Sequence, residues 1–105
     1  MIFGLFRDRE LESFARELAR ELSLRVPPAT VTAERATNPG FQATLAKAFQ
    51  HVFLSVRNYC REHKVGLLKK ARLSKIFQDE LVSLGYQGDF VKEVTLALAE
   101  QLTQH

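Results

Sequence analysis

Residues 38–64 read NPGFQATLAKAFQHVFLSVRNYCREHK, and the spacing of apolar side chains within them decides the fold class. Asn38 suits a helix cap and Pro39 the first helical position, where a missing amide costs nothing. From Phe41 onward, Leu45, Phe49, Val52, Phe53, Val56, Tyr59 and Cys60 recur at steps of three and four. They therefore share one face through about six turns. A stripe holding three phenylalanines predicts a long core helix over 39–64.

Working outward, the chain carries three more helical patterns. Over about 8–25, Leu11, Phe14, Ala15, Leu18 and Leu22 line one side, while Glu12, Arg16, Glu17, Arg20 and Glu21 fill the other. Val26-Pro27-Pro28 ends that helix, because proline lacks the amide and disfavours helical geometry in the residue before it. Residues 29–37 read as a loop, with room for one helical turn around 33–36. After the long helix comes Val65-Gly66, with Gly66 suited to the left-handed position beyond a helix end. This bend predicts that the second and third helices are antiparallel neighbours. The third helix spans about 67–84, burying Leu73, Ile76, Phe77, Leu81 and Leu84, and Gly85 closes it in the same way. Asp89 caps a fourth over about 90–103, which buries Phe90, Val91, Val94, Leu98 and Leu102. The expectation is an all-α fold: one domain over 1–105, a small four-helix bundle with a long second helix and a loop after the first.

Composition sets the outer limits. With 105 residues, 46% hydrophobic and 26% charged, the chain has the material for one packed core. Cys60 is the single cysteine, which excludes a disulfide framework and a four-cysteine zinc site within one chain. No apolar run reaches the ~20 residues that span a bilayer. The opening residues lack the basic-then-apolar order of a signal peptide, and with one thiol they lead to the expectation of a reducing, cytoplasmic setting. Ile2, Phe3, Leu5 and Phe6 precede the first helix and call for some cover.

The net charge of +3 hides a segregation. Residues 1–38 balance, residues 39–78 carry eight basic side chains against Glu62 alone, and residues 79–105 are acidic by a net four. Arg57, Arg61 and Lys64 fall on one side of the long helix, away from the phenylalanines. Lys69, Lys70, Arg72 and Lys75 begin the third. A helix N-terminus already carries about half a positive charge, so cations there are unfavourable by ~0.3–1 kcal/mol each. This basic hinge, 57–75, therefore asks for a negative partner: the chain's own acidic last helix, another protein, or phosphate.

Chemistry is less well supplied. Cys60, His63 and Glu80 are the one constellation that could be drawn together, as metal ligands or as nucleophile, base and orienter. Antiparallel helices would set His63 and Glu80 roughly 16 Å apart along the axis. Read plainly, Cys60 is a small buried residue, His63 a helix-end residue and Glu80 a paired acid. His51 points off the stripe and reads as surface, and His105 ends the chain. No Gly-rich phosphate loop, zinc-finger spacing or paired-carboxylate arrangement is present. The segment 76–98 fits a helix-turn-helix poorly, because its turn is long and its second helix acidic.

These readings predict no cofactor and no catalysis, and a helical interaction or adaptor module whose basic hinge meets an acidic partner. The alternative is a small nucleic-acid-binding protein using the same hinge. The heptad-like pairs Leu11–Leu18 and Ala15–Leu22 further suggest self-association through the first helix.

Overall fold

The computed structural model describes residues 8–35 and 37–103, and all regular structure among them is helical. The elements are α1 (Arg9–Arg25), α2 (Pro28–Glu34), α3 (Pro39–His63), α4 (Leu67–Ser83) and α5 (Gly88–Thr103). Five helices thus stand where four were expected: the segment read as a loop after α1 is α2. Its start follows from the prolines themselves, since Pro28 occupies the first turn, where no amide is required. The expected turn at 33–36 is displaced toward the N-terminus. Ala36, the apolar start Ile2–Phe6 and His105 lie outside the described residues.

Each boundary has a local cause. Asp8 caps α1 by accepting from the Leu11 amide at 3.0 Å, and Asn38 caps α3 by accepting from Gly40 at 2.9 Å. At the end of α4 the chain forms a Schellman motif. Gly85 sits at φ +100°, its amide donates to the Val82 carbonyl, and Tyr86 donates to Leu81. The end of α3 differs from expectation: the left-handed residue is Lys64, at φ 50°, whereas Gly66 is extended and caps α4. The Val65 amide donates to the Cys60 carbonyl and Val65 is buried, so the wrap closes two residues before the glycine. α5 begins at Gly88, one residue before the expected cap, and Asp89 lies inside its first turn, accepting from Phe90.

The helices pack in a ring, α1 on α4, α4 on α5, α5 on α3 and α3 on α1, with the α1–α4 seam the most extensive. Cross-helix pairs fix the directions. Asp8–Lys69, Glu12–Arg72 and Arg20–Glu80 make α1 and α4 parallel. Glu21–His51 and Phe14–Tyr59 make α1 and α3 antiparallel. Consecutive helices α3 and α4 do not pack along one another, contrary to the expectation drawn from Gly66. The link Lys64-Val65-Gly66 steps the chain across the molecule, because α4's apolar face is taken by α1 and α5.

The core holds Leu11, Leu18 and Leu22 of α1, Val52 and Val56 of α3, Leu73, Phe77 and Leu81 of α4, and Phe90, Val94 and Leu98 of α5. Each fully buried leucine or phenylalanine contributes about 1.5–3 kcal/mol over its exposed state. Tyr86 ties the top of the molecule together: its ring stacks on Phe90 with centroids 5.0 Å apart, and its hydroxyl donates to the Val26 carbonyl at the end of α1. Burial pushes the Tyr86 phenol up to about 12. At the opposite end lie the end of α3, the start of α4 and the end of α5. That end carries the basic residues.

Candidate functional site

The seven basic-hinge residues do not form one patch. Three are neutralised by carboxylates. Lys69 Nζ lies 3.0 Å from Asp8 Oδ2, Arg72 is 3.5 Å from Glu12, and Lys75 is 3.0 Å from Asp79 one turn along its own helix. The acids come from α1 and α4, not from the acidic last helix, whose Glu93 pairs with Arg35 instead. Lys69 and the Leu11 amide together hold the Asp8 carboxyl below its ordinary range, the backbone hydrogen bond being the larger cause. The negative partner that the sequence calls for is thus internal for Lys69 and Arg72, and it stands at the start of the parallel α1 rather than on the acidic last helix.

Lys70 has a different neighbour. Its ammonium donates to the Leu102 carbonyl at 3.0 Å, in the last turn of α5. Final-turn carbonyls have no intrahelical donor and carry the negative end of the helix dipole, so an ammonium there is favourable. Bringing α4's start to α5's end lets one lysine close a helix and also face the adjoining cleft.

That cleft is the candidate site. It encloses about 340 Å³ between α3 and α5, with Arg57, Arg61, Lys64 and Lys70 around it. Its apolar wall is Phe53, Val56, Val65 and Leu102, and no Asp or Glu lines it among the described residues. Arg57 reaches the Gln101 carboxamide at 3.5 Å, a long and neutral contact. Among the described residues, no carboxylate pairs with Arg57, Arg61 or Lys64. Arg61 and Lys64 do gain from the negative end of the α3 dipole, which accounts for part of their placement. It does not account for a concave wall holding four cations and no acid.

Cys60 also lines the cleft. Burial raises its thiol above the ordinary value and Lys70 pulls it back less strongly. At neutral pH it is a thiol rather than a thiolate, and a weak nucleophile. The Cys60–His63–Glu80 constellation does not assemble. His63 stacks on Tyr59 at 4.2 Å and faces Glu10 at 3.7 Å, while Glu80 accepts from Arg20 at 3.0 Å across the α1–α4 seam. His51, read as surface, is half-buried against Glu21. Among the described residues, no three His, Cys, Asp or Glu side chains converge on a point that could hold a metal ion.

The seam proposed for self-association through α1 is used inside the chain. Leu11, Ala15, Leu18 and Leu22 are all buried against α3 and α4. Of α1's larger apolar side chains, Leu24 is the exposed one. Leu54, Val82 and Leu96 stand exposed, each off the apolar stripe of its helix. Sequence reasoning missed Gln101 and Leu102 as members of the cleft, since nothing local marks a residue whose role depends on another helix's end lying beside it. No helix is long and apolar enough to cross a membrane, among the described residues. No protein-family model, curated protein or solved structure matches this chain.

Proposed function

We propose that this protein is a non-catalytic helical interaction module that takes an acidic segment of a partner protein into the α3–α5 cleft. The observation that supports this reading is the division of the basic residues. Those facing α1 are matched to carboxylates, whereas Arg57, Arg61 and Lys64 at the cleft pair with no carboxylate among the described residues. Lys64 adds weight. It is held left-handed at φ 50°, where a side chain costs roughly 1–2 kcal/mol and glycine would cost nothing. A lysine kept at such a position earns attention as a functional residue rather than a structural one.

Shape favours a protein segment over nucleic acid. A duplex or single strand offers a row of phosphates, best met by cations spread along a face. Here the unmatched cations gather in a concave site at one end of a body 51 Å long.

Fluorescence anisotropy with a labelled poly-glutamate peptide tests the reading on the full chain. The peptide is expected to bind, weakening as salt rises, and Arg57→Gln with Arg61→Gln should reduce affinity by about tenfold, equivalent to ~1.4 kcal/mol. Arg25→Gln, which alters a cation already paired with Glu21 at the far end of α1, should change it less than about twofold. Equal losses in both variants would contradict a role for the cleft. So would an oligonucleotide that displaces the peptide and binds far more tightly.

A further inference from the structure

The cleft has a neighbour. Between α4 and α5 runs a second hollow of about 380 Å³, lined by Leu67, Ala71, Ser74, Ala99 and Leu102 and flanked by Lys70 and Lys75. Lys70 and Leu102 line both hollows, so the two adjoin at the end of α5, on either side of the Lys70–Leu102 hydrogen bond. The chemistry differs between them. The first hollow is ringed by four cations, whereas the second is mainly apolar and floored by small side chains. Leu67 stands 77% exposed at its edge, with Leu68 beside it at 75%. Two adjacent leucines this open at the start of a helix are unfavourable in water unless something covers them.

We infer that the partner segment is amphipathic, placing carboxylates in the α3–α5 cleft and a leucine- or phenylalanine-sized side chain against Leu67, Ala71, Ala99 and Leu102. This rests on the reading of the cleft given above and adds the second half of its specificity. Charge selects the occupant. Among the described residues, the charged groups lining either hollow are Arg57, Arg61, Lys64, Lys70 and Lys75, all basic, so a basic or neutral amphipathic segment is disfavoured. Small residues at 71, 74 and 99 leave the width that a large side chain fills, and Leu67 supplies the wall that closes over it. A second copy of this chain is a poor occupant. Its own acidic apolar face, Leu96 between Glu93 and Glu100, belongs to a helix already packed on its opposite side. A free segment can enter a concave site, but an embedded helix face reaches it only at the rim.

Three peptides tested on the full chain by fluorescence anisotropy separate the two halves. One carries glutamates with leucines spaced four residues apart, one replaces those leucines with serine, and one replaces the glutamates with glutamine. The first should bind about fivefold more tightly than the second, the value of a partly buried leucine. Leu67→Ser should erase that advantage while leaving the serine peptide unaffected. Because Leu67 is exposed, the variant should fold as the parent does. If both glutamate peptides bind equally well, the apolar half is wrong and the acidic-cleft reading stands. If the glutamine peptide binds as tightly as the glutamate one, the cleft reading itself fails. Sedimentation of the free protein completes the test. A monomer across concentrations agrees with an outside partner, and a dimer lost in Leu67→Ser would overturn it in favour of a second copy. An affinity gain of several-fold on removing residues 1–7 would overturn it in favour of the chain's own N-terminal segment.

Discussion

Lys64 separates what stabilises this protein from what it binds with. Its backbone lies at φ 50°, ψ 52°, inside the left-handed region. There an ordinary residue bears roughly 1–2 kcal/mol of steric cost. Glycine escapes that cost but gives back about 0.4–1 kcal/mol through the greater freedom of its unfolded chain. Lys64→Gly and Lys64→Ala both lose the ammonium and its attraction to the α3 C-terminus, so their difference isolates the backbone. The glycine variant should exceed the alanine variant by about 0.5–1 kcal/mol in urea titrations followed by circular dichroism. For a domain this size that corresponds to melting temperatures about 2–8 °C apart. In the acidic-peptide assay the two variants should behave alike, each weakened by about two- to fivefold through loss of one cleft cation. Alanine matching or exceeding glycine in stability would refute the left-handed assignment. Unchanged peptide affinity in both would refute the placement of Lys64 in the binding cleft.

Other expected outcomes follow from single contacts. Tyr86→Phe removes a buried hydroxyl and leaves the Val26 carbonyl unmatched, which should lower stability by about 1–2 kcal/mol in denaturant titrations. The folded chain also holds the Tyr86 proton more tightly than the unfolded one, at about 12 against an ordinary value of 10.0. Stability should therefore be full below pH 10 and decline as pH rises toward 12, with a shallower decline in Tyr86→Phe. Asp8→Ala should lower stability by about 1 kcal/mol through loss of the α1 cap, whereas Asp8→Asn keeps the cap and should cost less. Because the folded Asp8 carboxyl is depressed, its contribution is present above its ordinary value near 3.8 and should fade as pH drops below that, a fade absent from Asp8→Asn. Thr95→Val removes a buried hydroxyl that meets no partner and should raise the unfolding free energy by about 1 kcal/mol.

The helices were legible because their signals are local. Apolar residues three and four apart marked the buried faces of α1, α3, α4 and α5; most of the residues those stripes named are in the core, while Phe14, Phe49, Phe53, Tyr59, Cys60 and Leu84 pack against it partly buried. Asn38-Pro39 and Gly85 announced boundaries through chemistry confined to a few residues. Two boundary readings failed for a related reason. Pro27-Pro28 stops one helix and equally well starts another, and Gly66 was favoured for the left-handed position on residue type alone. Lys64 takes that position because closing the wrap there buries Val65.

Which helices touch was much harder to read. A short connection suggests adjacency, yet α4 packs on α1 and α5 rather than along α3, because the helices pair by the fit of whole faces. The site inherited that difficulty. All seven basic residues were visible in the sequence, but their sorting depends on the parallel alignment of α1 with α4. That alignment supplies Asp8 to Lys69 and Glu12 to Arg72, and leaves Arg57, Arg61 and Lys64 without acids. No sequence pattern encodes it directly.

The account turns on where an acidic segment lands. Backbone amide chemical shifts, followed by NMR while the glutamate–leucine peptide is added to the full chain, report this directly. Changes concentrated at 57–65, 67–71 and 99–103, with the α1 face and the Tyr86 end undisturbed, are the predicted result. Shifts centred on α1, or no shifts at peptide concentrations that saturate the anisotropy signal, would contradict it.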